Sequence, residues 1–338
     1  MTGSNQALPG IAVIGCGLWG RNHVRTLATL GALRAVHDAD PDAAAAAAAS
    51  GNVPTRSFDE ILGDPAIDGV VIATPDATHA AIAQPALEAG KHVLVEKPMT
   101  TSTGDGARLV ALASEAGLIL MTGHILLYHP GFLRLRDLTR DGMLGSLRHI
   151  ASKRHHIARG APRHALWDLG PHDVSMVLEL TGRLPSEVSA QAASPLENAP
   201  PQQVSLLLTY PDGLSADISL SAIHPVKLHQ ITVSGTAAFG VFEDSQDWQD
   251  KVTVIRPGLE GGGTAAGSPA SETVPLEPDE PLRLEIEAFL GAICGGPPPP
   301  SNGREALEVV CVLAAAERSL TIGTAVTLDS AAHDNLET

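Results

Sequence analysis

"IAVIGCGLWG", residues 11–20, sets an apolar run against three glycines, Gly15, Gly17 and Gly20. The run reads as a buried strand and the following "RNHVRTLATLG" as a helix, so the glycines fall on a strand-to-helix turn. Glycines so spaced allow a tight turn, a close backbone approach to a pyrophosphate and close helix packing, and the helix N-terminus adds amide donors. Leu18 and Trp19 lie inside this loop and are grouped with the glycines as cofactor-binding residues. Cys16 and Trp19 fill space there rather than react. The next strand, "LRAVHD", ends in Asp38. A carboxylate at that point accepts from the adenosine ribose hydroxyls and repels a 2′-phosphate, so NAD is favoured over NADP. Asp40, before Pro41, reads as a turn residue.

Working outward, short apolar strands ("GVVIAT", "HVLVEK", "LILMTG") alternate with helical stretches such as "GARLVALASEAG" as far as residue 123. That alternation predicts a parallel sheet with crossover helices, an α/β Rossmann domain over residues 8–123. Pro85 is expected to kink or restart the helix in "HAAIAQPALEAG", and Ala43 to Ala49 form a surface helix. Beyond residue 123 the pattern changes. "QVSLLLTYPDGLSADISLSAI" places two alternating runs around Asp212 and Gly213, and "HQITVSG" with "FGVFED" continues them. A second α/β domain with a large, mostly antiparallel sheet is expected over residues 124–330, followed by a frayed tail at 331–338. "RPGLEGGGTAAGSPASETVPLEPDEP" reads as a surface loop, and "LRLEIEAFLGAI" and "REALEVVCVLAAAERSL" as two late helices.

Composition narrows the partners. Among 338 residues, 22 are Lys or Arg and 38 are Asp or Glu, a net charge of −16, which argues against a nucleic-acid or anionic-membrane surface. Three scattered cysteines suggest neither a disulfide framework nor a thiolate metal site, and fit a reducing cytoplasm. The start of the chain lacks a secretory pattern, and no apolar run reaches bilayer length.

In "HVLVEKPMTT", residues 92–101, an apolar strand ends on Glu96 and Lys97, the latter one of five lysines. In an open parallel sheet, ligands bind beyond the carboxyl ends of the strands. A lysine there is a liability unless something uses it, because desolvating an ammonium is costly; the alternative is a side chain snorkelling to solvent. Pro98 restricts Lys97 to extended geometry. In "HALWDLGPHDVSMVLELTG", Pro171 suits a first helical turn and Gly182 a stop, which places His172 at a helix N-terminus with Asp168 just before it. The helix dipole there favours a neutral imidazole and Asp168 opposes it. Asp173 reads as a cap. An Asp/His pair also suggests metal ligation, but no third ligand stands at helpful spacing, so no metal is expected.

The segments "GCGLWGRNHV", "ATPDATHA", "AGKHVLVEKPM" and "WDLGPHDVSMVLELTG", in that order, resemble the Gfo/Idh/MocA family of nicotinamide-dependent oxidoreductases, as do "HPVKLHQITVSGTAAFGVFED" and "AAAERSL". The resemblance implies chemistry on a secondary alcohol of a sugar or cyclitol, and a homodimer or homotetramer formed through the second domain's open-faced sheet. It also implies cofactor contacts from Thr74, Pro75 and His79, with Glu96 near the nicotinamide ribose and Lys97 near the substrate oxygen. On this basis His172 removes the hydroxyl proton, Lys97 stabilises the alkoxide and Asp168 orients one or both, though His172 and Lys97 could exchange roles. His124 and Tyr128 in "GHILLYHP", and Trp167 beside Asp168, are candidate substrate contacts; Tyr128 could equally be a core aromatic. "SKRHHIARGAPRH" carries Lys153, Arg154, Arg159 and Arg163 and no acid, which reads either as a solvated face or as a pocket for diphosphate or carboxylate. Its wording is similar to the nucleotide-sugar 3-dehydrogenase branch. A cyclitol dehydrogenase, an NAD-dependent glycosidase and a cofactor-sensing regulator remain as alternatives.

Overall fold

The computed structural model describes residues 8–157, 164–193, 199–260 and 264–328. In chain order it begins β1 (Ile11–Ile14), α1 (Leu18–Leu30), β2 (Leu33–His37), α2 (Pro41–Gly51), α3 (Phe58–Gly63), β3 (Gly69–Ile72), α4 (His79–Glu88), β4 (His92–Val95), α5 (Thr103–Ala116) and β5 (Leu120–Thr122). It continues α6 (Pro130–Arg140), β6 (Leu147–Ile157), α7 (Ala165–Thr181), β7 (Glu187–Ala193), β8 (Gln203–Thr209), β9 (Ser215–Ser221), β10 (Ile223–Gly235) and β11 (Phe239–Glu243). The last elements are β12 (Val252–Glu260), β13 (Thr264–Thr273), α8 (Pro281–Ile293), α9 (Gly303–Ile322) and β14 (Val326–Thr327).

Two compact units result, Met1–Ile125 with Glu280–Val310, and Leu126–Asp279 with Cys311–Thr338. A single boundary after residue 123 misses the return of the chain to the first unit at Glu280. The returning helix α8 buries Leu282, Ile286 and Phe289 and packs on α1. Amphipathic spacing predicts that such a helix covers a core but not which core.

The first unit is a five-stranded sheet of order β2-β1-β3-β4-β5, with every pairing parallel. β1 and β3 are buried throughout, which is why they read as unbroken apolar runs. Because β2 and β3 flank β1 on opposite sides, the carboxyl end of β1 is the topological switch point, where such sheets open a crevice. Helix α2 begins at Asp40, whose side chain accepts from the Asp42 amide, so this residue is a helix cap as well as a turn. Helix α4 runs through Pro85 instead of restarting there.

The second unit is a nine-stranded sheet of order β13-β12-β11-β10-β6-β9-β8-β7-β14, antiparallel except for β6 with β9. The β8–β9 hairpin turns at Asp212 and Gly213 as expected, with Gly213 at φ +86. One face is covered by α6 and α7. On β8 buried Val204, Leu206 and Leu208 alternate with exposed Gln203, Ser205 and Leu207, so the other face is open. The stretch expected to be a loop at 256–281 instead supplies the end of β12 and all of β13, paired antiparallel at the sheet edge. Edge strands tolerate glycine and proline, so their composition carries little strand signal. The expected tail at 331–338 lies outside the described residues.

Candidate active site

Along the carboxyl edge of the first sheet the candidate groups follow strand order: Asp38 after β2, the glycine loop after β1, Thr74 and Pro75 after β3, Glu96 and Lys97 after β4, His124 after β5. Gly15 has φ +92, and a Cβ there would lie 2.6 Å from the Ala73 carbonyl oxygen, so only glycine lets the loop pass β3. Gly17 caps α1, and a Cβ on it would meet nothing within 4 Å: the loop leaves open space over the helix N-terminus. That cradle, with exposed Leu18 and Trp19 at its rim, fits a dinucleotide pyrophosphate. A Cβ on Gly20 would strike the Gly15 carbonyl at 1.9 Å.

Asp38 is bound to this loop. Its Oδ2 accepts from the Cys16 amide at 2.5 Å and its Oδ1 from the Asp40 amide at 2.8 Å. Burial, and next the charge of Asp38, push the Cys16 thiol up to about 11, which leaves it a packing group.

His79 corrects one expectation. Its ring nitrogens lie 2.7 Å from the Pro98 carbonyl oxygen and 2.9 Å from that of Thr74, and the residue is 1% exposed. It ties the β3 turn to the Glu96-Lys97-Pro98 turn instead of turning a nitrogen to the cofactor. The Thr74 hydroxyl accepts from Thr78 at 2.8 Å. The Lys97–Pro98 peptide is cis.

Glu96 is buried, and its Oε1 lies 2.8 Å from His23 Nε2 on α1. Burial would raise its carboxyl; the hydrogen bond from His23, and after it the charge of Lys97, hold it below the usual carboxylate range. The Lys97 amide donates to Glu96 Oε2 at 3.2 Å, and a Cβ on Gly123 would come within 3.1 Å of that oxygen. His124 is buried with Nδ1 2.7 Å from Glu305 Oε2 in the first turn of α9. His23 and Glu305 join the site only through the fold, by their contacts with Glu96 and His124. The available signal for His23 was an ionisable residue beside Val24 and Leu27 on an apolar helix face.

In the second unit, α7 starts at Ala165 and is capped by His164, whose Nδ1 accepts from the Leu166 amide. It therefore begins earlier than Pro171 suggested. Asp168 falls in its first turn, His172 lies beyond the reach of the dipole, and Pro171 is internal. Gly170 lets α9 approach, since a Cβ there would lie 2.8 Å from Leu313. Thirteen of the seventeen residues of α7 are buried; Asp168 and His172, one turn apart, are among the few that are not. Glu179, also partly exposed, is paired with Arg136 and Arg140.

Asp173 does not cap the helix. It is 1% exposed and accepts from Arg154 Nε and from the Ser152 hydroxyl, both at 2.5 Å. Arg154 is thus a buried structural cation, not a free anion-binding arginine. Arg159 and Arg163 lie outside the described residues. Trp167 is buried and its indole N–H donates to Glu317 at 2.9 Å, while Tyr128 is 5% exposed within the second unit. Among the described residues, no group of His, Cys, Asp and Glu is placed to hold a metal, and no helix is long and apolar enough to cross a membrane.

The nucleotide cradle at the switch point of a parallel sheet, followed by a unit with a broad antiparallel sheet, defines the class of NAD-dependent oxidoreductases acting on CH–OH groups. The family model described as oxidoreductase family, NAD-binding Rossmann fold, matches residues 10–124, and that of the GFO/IDH/MocA C-terminal domain matches residues 132–239. UDP-N-acetylglucosamine 3-dehydrogenase of Acidithiobacillus ferrooxidans is 31% identical over 302 residues, 85% of this chain and 89% of the relative. A solved structure of that enzyme superposes with a TM-score of 0.82 at 27% identity, covering 92% of this chain and 97% of its own. Inositol 2-dehydrogenase 2 of Paenarthrobacter aurescens is 28% identical over 313 residues, 87% of this chain and 90% of the relative. GenD2 from gentamicin A biosynthesis, solved in complex with NAD, superposes with a TM-score of 0.81 at 27% identity over 98% of this chain and 99% of its own. The chain belongs to the Gfo/Idh/MocA family of oxidoreductases.

Proposed function

We propose that the protein interconverts a secondary alcohol and a ketone on the sugar ring of a nucleotide sugar, at carbon 3. The observation that carries this reading is the similarity to UDP-N-acetylglucosamine 3-dehydrogenase, which extends over 85% of the chain and 89% of that enzyme, and so over both units. NAD, held by the glycine loop, Asp38, Thr74, Pro75 and Glu96, supplies the hydride acceptor or donor. The chain's own residues move the proton. In the oxidising direction His172 takes the hydroxyl proton as general base, Lys97 stabilises the developing alkoxide, and Asp168 orients the imidazole from one turn earlier on the same helix face. In the reducing direction the proton returns from His172 to the carbonyl oxygen. The open sheet of the second unit supplies the surface for a homodimer or homotetramer.

A cyclitol substrate is the second reading. It is favoured by the likeness to inositol 2-dehydrogenase 2 and by Arg154, which its pairing with Asp173 removes from the set of anion-binding arginines. A panel of nucleotide sugars and cyclitols, assayed with NAD for cofactor absorbance and product mass, decides between the two. Turnover of UDP-N-acetylglucosamine to a 3-keto product supports the first; turnover of cyclitols alone replaces it with the second. With the responding substrate, Lys97→Ala is expected to keep NAD binding and to lose about two to four orders of magnitude in turnover. Turnover within a few-fold of the unmutated enzyme would remove Lys97 from the chemistry.

A further inference from the structure

Helix α8 carries an acid where its apolar face requires a hydrophobe. Glu285 lies between Leu282 and Ile286 on the face that also presents Phe289, and it is 1% exposed. Neither carboxyl oxygen has a hydrogen-bond partner among the described residues. The charge facing it is that of another acid, Glu96. In the same unit, α1 holds two further buried polar atoms without partners among the described residues, His23 Nδ1 and Thr26 Oγ1.

We propose that Glu285 is a positioning residue of the cofactor site: as a carboxylic acid it donates a hydrogen bond that reaches His23 Nδ1 through one buried water, completing a chain Glu285–His23–Glu96 that ends at the turn bearing Lys97. Donors and acceptors match along this chain. With the ring proton of His23 on Nε2, 2.8 Å from a carboxylate oxygen of Glu96, Nδ1 is left to accept and in need of a donor. A protonated Glu285 supplies that donor, whereas an ionised one would place a second unpaired anion in the core beside Glu96. Burial, and after it the charge of Glu96, raise the Glu285 carboxyl well above the ordinary carboxylate range.

Among the described residues, the charge seen to act on Glu285 is that of the acid Glu96. On α8, Arg283 pairs with Glu287, and Glu280 pairs with Arg25 of α1. From the β4 end the charge facing Glu285 is that of Glu96, and α1, which packs on α8, carries the unpartnered His23 Nδ1 and Thr26 Oγ1. Three basic sites then share two protons with a net charge of −1. The chain keeps Glu96 ionised and aims its Oε2 at the Lys97 amide. Glu285 thereby fixes the direction of Glu96 without touching cofactor or substrate. The inference rests on the reading that Glu96 serves the nicotinamide half of the site, but not on which sugar is bound.

Infrared difference spectroscopy and NAD titration calorimetry test it on the full-length protein without any sugar substrate. The unmutated protein is expected to show the carbonyl stretch of a protonated carboxyl group at neutral pH, and Glu285→Gln is expected to abolish that band. Glutamine keeps a donor for His23 Nδ1, so Glu285→Gln is expected to bind NAD within about threefold of the unmutated protein, while Glu285→Met, without a donor, binds about tenfold more weakly. Absence of the band, or a Gln variant as weak as the Met variant, overturns the proposal, as does equal NAD affinity in all three proteins. Should Glu285→Met fail to fold, the band and the Gln variant decide. Failure of the substrate panel leaves these readouts untouched, so the two readings fail separately.

Discussion

His124 Nδ1 and Glu305 Oε2 lie 2.7 Å apart although 181 positions separate them in the chain. The bond ties the end of β5 to the first turn of α9 within the first unit, with the imidazole 1% exposed. Removing one partner of a buried, charge-assisted hydrogen bond leaves the other desolvated and unmatched. Glu305→Ala is expected to destabilise the protein by about 2–3 kcal/mol in urea unfolding, with Glu305→Gln recovering part of the loss. Equal unfolding midpoints for all three proteins would show that the pair contributes nothing net.

Asp38 holds both the glycine loop, through the Cys16 amide, and its own turn, through the Asp40 amide. Asp38→Ser keeps an oxygen for the loop and removes the charge expected to oppose a 2′-phosphate. The NAD-to-NADP ratio of kcat/KM is expected to fall at least about tenfold, and further for Asp38→Arg, given roughly 1.5–3 kcal/mol per hydrogen bond to a charged group. An unmutated enzyme that used both cofactors equally well would remove Asp38 from this role.

Which parts were readable follows from the range of the forces involved. The glycine loop, Asp38 and Glu96-Lys97 are local events at strand ends, where turn geometry and apolar runs speak directly from the sequence. Arg154 looked like a ligand residue because its partner, Asp173, arrives from α7, and no local spacing announces a strand-to-helix ion pair. The start of α7 was misplaced for a similar reason: Gly170 and Pro171 resemble punctuation, yet close packing against Leu313 of α9 makes a small residue necessary inside the helix. His23 and Glu285 left a faint mark, an ionisable residue on an apolar face, but their meaning depends on α8 returning to the first unit.

Asp244 gives a pH dependence with a definite sign. Its Oδ1 lies 3.2 Å from His129 Nε2 and 2.9 Å from Lys251 Nζ. The hydrogen bond from His129 first, and that from Lys251 after it, outweigh burial and hold its carboxyl well below the ordinary 3.8. A depressed folded-state value means that the stabilisation is complete above the unfolded value and is lost as pH falls below it. Asp244→Asn is therefore expected to be less stable than the unmutated protein at pH 7 by about 1–3 kcal/mol, with the gap narrowing once pH drops beneath about 3.8. A gap independent of pH in denaturant titrations would assign the loss to packing instead.

For the arginines of residues 152–164, a structural role and a substrate-binding role predict opposite readouts. Arg154 Nε is bound to the buried carboxylate of Asp173, whose other oxygen accepts from Ser152. Arg154→Ala strands Asp173 in the core, at a cost of about 3–5 kcal/mol, the range for breaking a buried pair from one side. The effect belongs in unfolding curves and in expression, and it falls alike on every substrate. Arg159→Ala and Arg163→Ala are expected to leave unfolding unchanged and to raise the KM for a nucleotide sugar by about one to two orders of magnitude, because a diphosphate entering a chain of net charge −16 needs charge-assisted donors. Added salt should then weaken nucleotide-sugar binding more in the unmutated enzyme than in these variants, and turnover of a neutral cyclitol should be indifferent to both changes. If Arg159→Ala and Arg163→Ala leave nucleotide-sugar kinetics untouched while Arg154→Ala still destabilises, the segment is structural at Arg154 and solvated elsewhere, and a neutral ring becomes the substrate to pursue.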